Sequence, residues 1–94
     1  MRIVSFRNRE LERFWRSGEV RGIARQYERK LRAMLTAIEE AENIAELDTI
    51  RGWRLHPLKG DRKGIWSLKL THNHRLTFRI EGTIVSEVDV EDYH

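Results

Sequence analysis

Ninety-four residues carry 18 Lys and Arg against 15 Asp and Glu, a formal net charge of +3, and no cysteine. That length predicts one small domain over residues 1–94, with a core modest but sufficient for independent folding. The absence of cysteine excludes a disulfide framework and a thiolate metal site, no apolar run approaches the ~20 residues that span a bilayer, and Met1–Phe6 is too short for a secretion signal, so the expected setting is the reducing cytoplasm, with no membrane partner.

Ile3, Val4 and Phe6 make a β-prone start, read as an edge or central strand joined late by the C-terminal segment. Asn8 is a suitable N-cap for a first helix over Arg9–Arg16, whose Leu11, Phe14 and Trp15 fall at i, i+3, i+4. Ser17-Gly18 ends it. A second helix is expected from Val20 or Arg21 to Glu42. Ile23, Tyr27, Leu31, Met34, Leu35 and Ile38 form one apolar stripe along it, the pattern of a core face. Ala41–Asp48 adds a short helical turn, with Ile44 and Leu47 covering the core.

From Leu55 the pattern becomes β. His56-Pro57 disfavours helix and holds an extended or turning backbone. Gly60–Gly64 is a turn. Ile65–Leu70 and Arg75–Ile80 each alternate apolar and polar residues, the period of a strand with one buried face. Trp66, Leu68, Leu70, Leu76, Phe78 and Ile80 form the apolar back of this hairpin. Ser67, Lys69, Arg75, Thr77 and Arg79 form its front. Glu81-Gly82 connects to a last strand over Thr83–Val90, with Ile84, Ser86, Val88 and Val90 on one face. The order predicts an α+β fold: two N-terminal helices packed on an antiparallel sheet.

Charge is unevenly distributed. Between Arg51 and Arg79 lie eight basic residues against Asp61 alone, a net +7, whereas Ile80–His94 holds five acids and no Lys or Arg. A cationic sheet front suits an anionic, phosphate-bearing partner. The structural alternative is a solvated outer face.

Four histidines are the candidates for proton transfer near neutral pH. His72 and His74 sit in or beside a turn; at i, i+2 with no further ligand they read as surface turn rather than metal site. No metal and no cofactor is expected. His56 lies between Arg54 and Lys59 in a constrained loop, and His94 follows Asp92 and Tyr93. With Lys59, Arg75 and Arg79 these residues supply what metal-independent RNA cleavage needs. A 2′-OH must lose a proton to attack phosphorus, the 5′-oxygen must gain one, and fixed cations must stabilise the extra charge on the phosphate. The 2′-OH requirement makes RNA the substrate.

The stretch Arg54-Leu55-His56-Pro57-Leu58-Lys59-Gly60-Asp61, then Gly64–Leu68, Asn73–Phe78 and the ending Val90-Glu91-Asp92-Tyr93-His94 resembles the HigB branch of the RelE/ParE toxins across essentially the whole chain. The resemblance implies a RelE-like domain and a type II toxin–antitoxin toxin that cuts mRNA in the ribosomal A site. It implies a helix-turn-helix antitoxin similar to HigA, with operator DNA reached only through that partner. It places functional positions on His56, Lys59, Arg75, Asp92, Tyr93 and His94. Lys59 and Arg75 then neutralise the scissile phosphate, and His56 and His94 share acid–base work. Asp92 orients a histidine, and Tyr93 stacks on a base or donates its phenol. Asp92 beside His94 favours the protonated imidazole, which suits His94 to the general acid. Arg54, Arg62, Lys63, Lys69 and Arg79 are the expected further RNA contacts. One departure stands out: where the family commonly has Trp before the arginine, this chain has His74. Two other readings share these features: a ParE-like topoisomerase poison, and a non-catalytic nucleic-acid-binding module.

Overall fold

A computed structural model describes residues 1–92; Tyr93 and His94, and the roles expected of them, lie outside the described residues. The elements run β1 (Arg2–Ile3), α1 (Arg9–Ser17), α2 (Glu28–Glu40), β2 (His56–Pro57), β3 (Ile65–Lys69), β4 (His74–Glu81) and β5 (Ile84–Asp92). Short 3-10 helices at Arg25–Tyr27, Ile44–Thr49 and Gly60–Arg62 punctuate them.

The Asn8 side chain accepts a hydrogen bond from Leu11 N at 3.1 Å and starts α1. Gly18, left-handed at φ 77°, ends it by donating its N–H to the Phe14 carbonyl. The second helix begins later than the apolar stripe suggests. Gly22 has φ +83° and Ala24 is extended, so the chain turns before it coils. Ile23 and Tyr27 still pack on the core from outside the helix, while Leu31, Met34, Leu35 and Ile38 are buried within it.

The sheet order is β1-β5-β4-β3-β2. The β2–β5 meander is antiparallel; β1 joins β5 in parallel, and Phe6 bridges Val88 beyond it. The opening segment is therefore an edge strand joined by the last one, as its composition suggested. Leu11 and Phe14 of α1 and the α2 stripe share one core with Leu68, Leu70, Leu76, Phe78, Val85 and Val88.

Two details of the last hairpin differ from the sequence reading. The connecting pair is Gly82-Thr83, because Glu81 still pairs with Ile84. The simple alternation along β5 also fails. The β4–β5 register shifts between Thr77 and Arg79, and Glu87 takes φ +53°, which marks a bulge. The extra residue puts both Val85 and Val88 in the core and leaves Ile84 exposed.

Candidate functional site

Directly opposed residues in antiparallel strands share a face. Register therefore defines the side of the sheet turned away from α1 and α2. One row across it is His56, Ser67, Thr77 and Asp89; the next is Lys69, Arg75 and Glu91. His56 is held there because β2 pairs with β3 and Leu58 N donates to the Ile65 carbonyl at 2.8 Å. Its imidazole is exposed, as are the side chains of Arg54 and Lys59 nearby in sequence. Arg54 has φ 49°, a left-handed conformation that bends the chain into β2.

This front is less open than an alternating pattern implies. Ile65, Ser67 and Thr77 are buried on it, so the sheet is covered on both sides near its centre. Arg62, from the segment between β2 and β3, reaches across this side to β5. The two arms of the Arg62 guanidinium bond the two Glu91 carboxylate oxygens, Nη1 to Oε1 at 2.9 Å and Nη2 to Oε2. Glu91 also accepts from Thr77 Oγ1 at 2.8 Å and, at 3.4 Å, from Arg75 Nη2. The Arg62 hydrogen bonds, with help from Thr77 and the Arg75 charge, hold the Glu91 carboxyl down to about 2. The same pairing raises Arg62. Asp89, one row away, moves the other way: burial pushes its carboxyl up, and the Glu91 charge adds to the effect.

The basic surplus is thus partly spent inside the fold. Arg62 and Arg75 meet Glu91, and Arg79 meets Glu87 at 2.7 Å across the bulge. Arg54, Lys59 and Lys63 are exposed, and Lys69 is half-buried beside Arg75.

Asp92 ends β5 opposite His74, and alternation puts both on the helix side of the sheet, one residue from the Arg75–Glu91 row. His74 Nδ1 lies 2.9 Å from Thr71 Oγ1, and its ring is 5.4 Å from that of Tyr27. Burial raises the Tyr27 phenol, and the Asp92 charge adds to it. The Tyr27 that the sequence assigned to the core stripe therefore also borders the end of the site. Among the described residues, no three His, Asp or Glu side chains gather as a ligand set.

Of the expected residues, the fold brings His56, Lys69 and Arg75 onto one face; Asp92 lies on the opposite side of the sheet, one residue beyond Glu91. Glu91 appeared in the sequence only as one acid in an acidic tail. Its importance follows from the β4–β5 register, which puts it opposite Arg75. Charge complementarity between the basic hairpin and the tail was the available signal.

A bulged mixed sheet with two helices on one face and basic residues on the other defines a class of small α+β domains. The fold matches the YoeB/ParE toxin from Agrobacterium tumefaciens with a TM-score of 0.59, covering 100% of both chains at 20% identity. Within that class the chain belongs to the HigB-like toxins: the family described as RelE-like toxin of type II toxin-antitoxin system HigB matches residues 4–94. It is 36% identical over 92 residues to Endoribonuclease HigB of Proteus vulgaris, 98% of this chain and 99% of that one. Membership in a type II system implies an antitoxin partner.

Proposed function

We propose that this toxin is an endoribonuclease that cuts mRNA on the ribosome, in the A site, by metal-independent attack of the 2′-OH. The observation that carries the reading is the shared face: His56, Lys69 and Arg75 lie in adjoining rows at the end of the sheet where Asp92 leads into the last two residues. The 36% identical relative with the printed name endoribonuclease supports it over the topoisomerase and binding-only alternatives.

In this mechanism Lys59 and Arg75 hold the scissile phosphate and offset the charge that builds on it. His56 and His94 take the proton from the 2′-OH and return one to the 5′-oxygen. In this reading His94 is the acid and Asp92 orients it. Tyr93 stacks on a base or donates its phenol. Arg54, Lys63 and Lys69 guide the RNA backbone, and Arg79 follows them through its pair with Glu87. The protein acts in the cytoplasm, where a helix-turn-helix antitoxin similar to HigA silences it. That partner alone contacts operator DNA.

Primer extension on a defined mRNA, with and without programmed ribosomes, tests this. Cleavage appears only with ribosomes. In single turnover it is bell-shaped in pH near neutrality. EDTA acts only by disturbing the ribosome. His94→Gln and His56→Gln keep ribosome binding and lose about 10²–10⁴ in rate. Lys59→Ala and Arg75→Ala lose about 10²–10³ and flatten the salt dependence of binding. His94→Gln cutting at the parental rate overturns the acid role. If Lys59→Ala and Arg75→Ala also cut normally, the site lies elsewhere.

A further inference from the structure

Two arginines compete for one carboxylate beside the proposed phosphate site. Arg62 takes Glu91 with both arms, from a neighbouring loop, while Arg75 reaches the same carboxylate by a longer contact of 3.4 Å. All three side chains are largely buried, at 34% exposure for Arg62, 22% for Arg75 and 19% for Glu91. In so shielded a place a carboxylate takes the best cation available. Without Arg62, that cation is Arg75.

We propose that Arg62 is a positioning residue: by occupying Glu91 in a two-armed pair it keeps that carboxylate from capturing Arg75, and so keeps the Arg75 charge directed at the RNA phosphate. The inference rests on the reading of Arg75 as phosphate stabiliser, and it reassigns Arg62 from direct RNA contact to indirect support. Thr77 fixes the register of the arrangement. Its hydroxyl holds Glu91 Oε2, the same oxygen that meets Arg62 Nη2, leaving Oε1 shared between Arg62 Nη1 and Arg75. The other charges facing the group are Asp61 and Asp89, with Arg7 acting on Asp89 and Lys69 opposite Arg75 across the sheet; of the remaining cations, Arg75 is the one already bonded to Glu91 and so the one placed to take it.

The competition makes an unusual prediction about paired substitutions. Arg62→Met exposes Arg75 to an unshared Glu91 and slows ribosome-dependent cleavage by about tenfold or more, a fraction of the effect of losing Arg75 itself. Adding Glu91→Gln to Arg62→Met removes the competitor and returns the rate to within about threefold of the parent, a strong non-additivity for residues in contact. An arginine that gripped RNA directly gives the opposite pattern: the double variant is as slow as Arg62→Met, and both lose one phosphate's share of the salt slope. That result overturns the proposal, as does an Arg62→Met variant that cuts at the parental rate. The double variant carries no uncompensated carboxylate, so it remains informative where Arg62→Met folds poorly. A readout independent of RNA is the NMR signal of the Arg75 guanidinium: its bond rotation slows in Arg62→Met and recovers in the double variant. Unchanged rotation overturns the competition itself. A parent protein that cuts no message, with rotation behaving as described, overturns the nuclease reading and leaves the competition standing.

Discussion

Glu91→Gln should make the protein less stable at neutral pH and no less stable in strong acid. The Glu91 carboxyl sits at about 2 in the folded chain against an ordinary 4.5, chiefly through its hydrogen bonds to Arg62. At about 1.4 kcal/mol per tenfold change in proton affinity, this corresponds to roughly 3 kcal/mol of preference for the charged form. Solvent reaches the outer side of Arg62, which reduces the contribution to about 2 kcal/mol. The folded value is below the unfolded one, so the unfolded chain binds the proton more readily and stability rises with pH through this range. The contribution is whole above about pH 5 and fades as pH falls toward about 2. Urea unfolding of the parent and Glu91→Gln between those limits reads it directly. Their unfolding free energies should differ by about 2 kcal/mol at pH 7 and converge near pH 2. A gap that stays constant across the range assigns the loss to packing and refutes the ion-pair argument; no gap at pH 7 refutes it outright.

Asp89→Asn should act in the opposite sense: burial raises this carboxyl, so its charge opposes folding at neutral pH. The variant gains thermal stability at pH 7 and loses the gain as pH falls through the carboxylate range. Leu31→Ala removes a fully buried side chain from the helix–sheet core and should cost about 2–5 kcal/mol in denaturant unfolding. Gly18→Ala puts a Cβ on a left-handed residue with open space around it, so backbone strain alone acts; a loss of about 1 kcal/mol in the same assay is expected.

Sequence periodicity found the helices and strands because each buries one side. It failed where a single backbone conformation reset the phase. Gly22 delays α2 until Glu28, although Ile23 and Tyr27 keep the helical spacing. Glu87, in a left-handed conformation that residues other than glycine seldom adopt, swaps Ile84 for Val85 in the core. The basic front was legible as charge, but its pairing was not. Ser67 and Thr77 looked like solvated residues because nothing local says that Arg62 returns over them to Glu91, 29 residues later. The resemblance pointed to His56, Lys59 and Arg75 residue by residue, and the register explains why His56 and Arg75 share a side of the sheet.

The position of β5 also has a consequence in time. It is the last element in chain order, yet it lies between β1 and β4, and Glu87 N reaches back to Ser5 Oγ across 82 residues. Closing so long a loop is entropically costly and precedes any reward from the contacts it makes. A growing polypeptide therefore forms its helices and the β2–β4 ribbon while the inner edges of β1 and β4 still lack their common neighbour. Glu91, which sets the charge balance around Arg75, arrives only with that final strand. The charge balance around Arg75 is thus set by the same strand that completes the middle of the sheet.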